Sequence, residues 1–92
     1  MPETGNSRMN APAPPLTPAQ RLAVLRHYRG HLQYLYDYNQ ANTEFVRGNP
    51  SIVEAERPHV LRLLAYRATT VEAELRWVDG EIAALTQARP AE

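Results

Sequence analysis

Cysteine and lysine are both absent from the 92-residue sequence. Without cysteine there is no disulfide, no thiolate nucleophile and no cysteine-ligated zinc. Without lysine there is no Schiff-base amine and no phosphate-loop lysine. The ten basic residues are therefore all arginine, and ten acidic residues balance them to zero net charge. A duplex-binding domain usually carries a clear basic excess, so direct nucleic-acid binding is not expected. No run approaches the ~18–20 apolar residues of a membrane span. No segment alternates with the strand period. A glycine-rich phosphate loop, a nucleophile elbow and a paired-carboxylate cleft are also missing. These absences together point to a non-enzymatic, cytoplasmic protein with no cofactor.

What is present divides into a tail and two long helices. The opening "MPETGNSRMNAPAPPLTP" is rich in Pro, Asn, Ser and Gly and has almost no large apolar residue. It cannot bury enough surface to offset its ordering entropy, so residues 1–16 read as a disordered tail. The tail has neither the basic n-region nor the apolar h-region of a secretory signal. Residues 17–89 read as the folded domain. Thr17-Pro18-Ala19-Gln20 is a capping box with proline at the first helical position. Arg47-Gly48-Asn49-Pro50 is a stop signal, with Gly48 expected to take the left-handed cap and Pro50 to bar continuation. Between them lies a helix of roughly 30 residues, ~45 Å long. Ser51-Ile52-Val53-Glu54 reads as a second capping box. Proline at position 58 confines the helix begun there to a short turn over 51–56, with the main second helix starting near Pro58 and running to Pro90. Two helices of matching length joined by a short turn predict an all-α antiparallel hairpin.

Both helices carry more apolar surface than one partner can cover. In the first, Leu25, Tyr28, Leu32, Leu35, Asn39, Asn42 and Val46 follow the 3-4 spacing of a packed seam; in the second, Leu64, Ala68, Val71, Leu75, Val78, Ile82 and Leu85 do the same. Steps of about 100° per residue place a second face beside each seam. On the first helix it carries Val24, His27, His31, Tyr34, Tyr38 and Phe45; on the second, Leu63, Tyr66, Thr70, Ala73, Trp77 and Ala84. Only the flank with Arg26, Arg29, Gln33, Asp37, Gln40 and Glu44 is plainly polar. A lone hairpin satisfies one seam per helix and leaves an aromatic patch exposed. The economical solution is a homodimer whose hairpins form a four-helix bundle, with Tyr34, Tyr38, Phe45, Tyr66 and Trp77 at the dimer or ligand face.

Three features admit sharper chemistry. His27 and His31 share a helix face, and Glu74 can fall opposite them, so a two-histidine, one-carboxylate metal site is conceivable; an interface histidine paired with a glutamate is the commoner outcome. Trp77 lies beside the small residues Ala73, Thr70 and Ala84, with Tyr66 further along. That arrangement offers either a slot for a planar aromatic ligand or an anchor for another helix. Asn39 and Asn42 sit in the seam, where they either fix register or simply meet water near the open end. Gly30 and Gly80 map to the outer side, each at a cost of ~1 kcal/mol against alanine.

The stretches "LTPAQRLAVLRHYRGHLQYL" (16–35) and "LLAYRATTVEAELRWVDGEIAAL" (63–85) resemble the C-terminal helical dimerisation domain of PadR-like transcriptional regulators, a resemblance taken over residues 16–88. The likeness rests on the Leu16-Thr17-Pro18 entry to a long helix and on Ala73-Glu74-Leu75-Arg76-Trp77-Val78-Asp79 in the last one. It implies homodimerisation and, as in some members, aromatic effector binding near the terminal-helix tryptophan, here Trp77. In that family a winged helix-turn-helix precedes this domain. Here residues 1–16 are tail-like in its place, so the chain is expected to be a lone dimerisation module, a piece of a larger regulator, or a small protein whose partner is a DNA-binding regulator.

Overall fold

The computed structural model describes residues 13–88. The tail expected over 1–16 lies outside the described residues as far as position 12. Residues 13–16 are exposed and have no regular structure. Two helices account for the regular structure, α1 (Pro18–Gly48) and α2 (Arg57–Ala88), packed as an antiparallel hairpin. The stop expected at Pro90 lies outside the described residues.

α1 starts as its sequence requires. The Thr17 hydroxyl accepts from the Gln20 amide at 3.1 Å, and the Gln20 side chain accepts from the Thr17 amide at 2.9 Å. Pro18 occupies the first turn, where its missing donor has no intrahelical partner to lose.

The C-terminus of α1 departs from the sequence expectation. Gly48 does not adopt a left-handed conformation. The helix ends instead at Asn49, which is extended at φ −92° and ψ 112°. The following Pro50 excludes Asn49 from the helical region, and this steric restriction is enough to end the helix. The carbonyls left over are taken by a side chain from the other helix. The Arg57 guanidinium donates to Val46 O, to Asn49 O at 3.2 Å and to Ile52 O at 3.2 Å. A planar fork with several donors suits three carbonyls converging on one point.

The second capping box is not formed either. Asn49 supplies the local cap, its Oδ1 accepting from the Ser51 amide at 2.9 Å. The short helical turn expected over 51–56 is not a helix: the hydrogen-bonded turn that leads into α2 begins only at Val53, whose carbonyl accepts from the Glu56 and Arg57 amides at 2.9 and 3.1 Å. Proline at the second position of α2 lies within the first turn, where no intrahelical donor is required.

The core is a thin strip between the two helices. Leu22, Leu32, Val46, Val71 and Val78 are buried, with Leu25, Leu35, Leu75 and Ile82 packed around them. The seam expected on α2 is therefore the one observed. On α1 the strip differs from the expected seam: it takes in Leu22 and the half-buried Tyr36, while Tyr28, expected in it, is exposed.

Candidate interaction face

The two long sides of the hairpin differ in chemistry. On the polar side, Arg29 Nε donates to Asp79 Oδ1 at 2.6 Å, tying α1 to α2. Seven residues along each helix, Tyr36 lies against Glu72. The Glu72 carboxylate, first as hydrogen-bond acceptor and then through its charge, raises the Tyr36 pKa. One further step of seven brings Thr43 and Ala65 to the same small cavity. Equal steps along antiparallel helices produce these rungs, because residues seven apart return to nearly the same face. Gln33 extends the polar network, reaching Asp37 at 3.1 Å.

The opposite side is aromatic. Tyr34, Tyr38 and Phe45 of α1 and Leu63, Tyr66 and Trp77 of α2 are all exposed, Tyr66 at 70% and Trp77 at 59%. Tyr38 and Leu63 line one groove between the helices, and Tyr66 and Thr70 line its continuation with Leu35. The second faces of both helices thus open to the same side. Tyr34 and Tyr38, four apart, stack with ring centroids 6.1 Å apart and planes 13° from parallel. Such a pair is already ordered on its helix, so a partner covering it would cost little further side-chain entropy.

The groove has a volume of about 270 Å³ and is lined mainly by Leu35, Tyr38, Asn39, Asn42, Leu63 and Arg67. Asn39 is 8% exposed and its Oδ1 has no hydrogen-bond partner among the described residues. Asn42, at the groove edge, is only half-buried. The groove lies along Val71 and Arg67, one to three turns before Trp77, so Trp77 projects beyond this depression.

The histidines are on the surface. His31 stacks on Tyr28 with centroids 6.5 Å apart, and His27 is exposed. Glu74 receives the Tyr28 hydroxyl at 2.8 Å. This acceptor bond, followed by desolvation and the carboxylate charge, raises the Tyr28 pKa. Among the described residues no three His, Asp or Glu side chains converge as metal ligands would.

Sequence reasoning missed the cross-helix roles of Tyr36, Arg29 and Arg57. Arg29 sat on a flank read only as polar, although its heptad spacing from Tyr36 was a usable signal. Arg57 had no comparable signal, since its role depends on where the turn brings it. No family model, curated protein or solved structure matches the chain, so the PadR-like resemblance rests on its sequence motifs alone.

Proposed function

We propose that this chain is a non-enzymatic dimerisation and protein-interaction module, two copies pairing through their aromatic sides into a four-helix bundle. The observation that supports it is the mismatch between a thin core and the large side chains left outside. Five aromatic residues, Tyr34, Tyr38, Phe45, Tyr66 and Trp77, stand 58–70% exposed on one side. A buried aromatic side chain removes ~150–250 Å² from water, so five of them at this exposure offer roughly 500–750 Å² per copy. With Val24 and Leu63 added, this approaches the ~800 Å² per partner of a standard stable interface. Zero net charge means that two copies do not repel each other as they approach.

A second copy is the simplest occupant, because a two-fold pair presents each stripe to its own equivalent. The resemblance to PadR-like C-terminal domains adds the setting, a cytoplasmic module working with transcriptional regulation, with a DNA-binding regulator as further protein partner. Among the described residues no helix is long and apolar enough to cross a membrane.

Solution mass by light scattering over a dilution series, with far-UV circular dichroism alongside, tests the pairing. A helical species near twice 10.4 kDa is expected. A helical monomer at every concentration overturns it. If Trp77 fluorescence of that monomer were quenched by planar aromatic compounds, a small-molecule sensor would take the place of the dimer.

A further inference from the structure

The groove on the aromatic side carries one uncompensated charge of each sign. Arg67 and Glu74 line the same stretch of it with Tyr66 and Thr70. Arg67 is exposed and makes no ion pair among the described residues. Glu74 accepts the Tyr28 hydroxyl, a neutral donor that leaves the carboxylate charge in place. The two are seven residues apart, ~10.5 Å along α2, too far to neutralise each other. One heptad towards the open end, Arg21 and Glu81 take the places of Tyr28 and Glu74; opposite in sign on one rung, they offset each other.

These two charges distinguish the ends of the hairpin, because they stand on either side of its middle. The point midway between them falls between Thr70 and Val71, about two residues from the centre of Arg57–Ala88. With the two turns side by side, Arg67 stands level with the partner's Arg67, and Glu74 with the partner's Glu74. Like charges set against each other across an interface oppose association. With one copy reversed about that midpoint, Arg67 of each copy stands level with Glu74 of the other, and almost the whole length of both hairpins stays overlapped. The same reversal lays α2 on α2. Trp77 then lies one residue from the level of the partner's Leu63, and Tyr66 two residues from that of the partner's Ala73. Large side chains meet smaller ones, and Thr70 meets its own equivalent at the axis.

We propose that the pair is antiparallel, the turn of each hairpin beside the open end of the other, and that two Arg67–Glu74 ion pairs between the copies select this orientation. A two-fold axis across the helices makes the contact twice, so the effect of one modest pair is doubled. The second copy also excludes water from the groove, where charges are screened less than on an open surface. This inference rests on the pairing proposed above.

The absence of cysteine makes orientation directly measurable, because any introduced thiol is unique. His59 and Gly80 are exposed in the row of α2 that holds Tyr66, and a reversed partner brings position 59 of one copy within about two residues of the level of position 80 of the other. With turns side by side the same two positions are 21 residues or ~32 Å apart. His59→Cys and Gly80→Cys chains are mixed and treated with a flexible thiol cross-linker much shorter than that separation. Mixed 59–80 products are expected, with neither variant linking to its own kind. Like-with-like products, alone or beside mixed ones, overturn the orientation. Arg67→Gln and Arg67→Glu then test the charges, since both leave the Tyr28–Glu74 bond in place. Dissociation on dilution should become a few-fold easier for Arg67→Gln and on the order of tenfold easier for Arg67→Glu, the gap narrowing in high salt. An Arg67→Gln pair as tight as wild type or tighter, with helicity unchanged, overturns selection by charge. A wild-type chain that is monomeric in light scattering fails the pairing reading itself, whereas a dimer with either contrary result fails this inference alone.

Discussion

Tyr28 on α1 and Glu74 on α2 share a hydrogen bond of 2.8 Å that bridges the helices at the edge of the aromatic side. Its donor titrates, so the bond has a pH limit. The Tyr28 pKa is raised above its ordinary 10.0, chiefly by donating to Glu74. A group whose folded pKa lies above its unfolded one stabilises fully below the unfolded value and loses that contribution as pH rises through the folded one. The stability gap between wild type and Tyr28→Phe should therefore be constant below pH 10 and close above it. Thermal melts at stepped alkaline pH would show this. A gap that persists through the alkaline limb would mean that the bond contributes nothing in solution. Tyr36 is shifted in the same direction by Glu72 and should behave likewise.

Arg57 holds the turn together from a largely buried position, its side chain 17% exposed. Arg57→Ala would leave the Val46, Asn49 and Ile52 carbonyls without their donor, at a cost of about 1–3 kcal/mol. Arg57→Lys should recover only part of this, since an ammonium cannot reproduce the fork. Glu54 pairs with Arg57 at 3.5 Å but is 89% exposed, so Glu54→Ala should change stability by less than ~0.5 kcal/mol. Urea denaturation of the three variants would rank them.

Apart from their chain neighbours and the nearby backbone of their own helix, no atom of the described residues lies within 4 Å of where a Cβ would stand at Gly30 or Gly80, and neither has a positive φ. Alanine is then free of clash at both positions and reduces the entropy of the unfolded chain. Each substitution should stabilise by about 0.5–1 kcal/mol, and the pair should be additive. A destabilised Gly30→Ala or Gly80→Ala chain would show that another surface approaches that backbone closely.

Leu32 and Trp77 should fail in different ways. Leu32 is 1% exposed at the centre of the strip, and Leu32→Ala should cost about 2–5 kcal/mol. That matches the ~3–5 kcal/mol a core of this size supplies, so helical signal should be lost. Trp77 makes no part of the buried cluster. Trp77→Ala should keep the helices and weaken pairing by at least about 2 kcal/mol, as truncating an interface anchor does. Circular dichroism and light scattering on both variants separate the two effects.

The hairpin and its core were largely legible because helical periodicity records burial directly. Val71, Leu75, Val78 and Ile82 lie where their 3-4 spacing puts them, and the stripe from Tyr34 to Phe45 is left uncovered as its angular position requires. The turn was harder to read. Gly48 is a strong left-handed-cap signal, but Pro50 acts on Asn49 first and ends the helix one residue later. Ser51 and Glu54 have capping-box spacing, but Asn49 reaches the same backbone sooner. In both cases two local signals competed, and spacing does not say which prevails. Arg57 and Tyr36 depend on what the opposite helix brings to them, which no local pattern encodes.

The clasp of Arg57 on Val46 also has a consequence for how the chain reaches its folded state. It closes only eleven residues, whereas Tyr28–Glu74 closes 46 and Arg29–Asp79 closes 50. Loop-closure entropy rises with length, so the shortest closure comes first, and each later contact closes only the small remainder. Folding should therefore zip outward from the turn. Arg57→Ala should slow the folding rate, while Asp79→Asn should act mainly on unfolding, as late-forming contacts do. The residues that decide how fast the hairpin forms thus lie at the opposite end from those that make its last contacts.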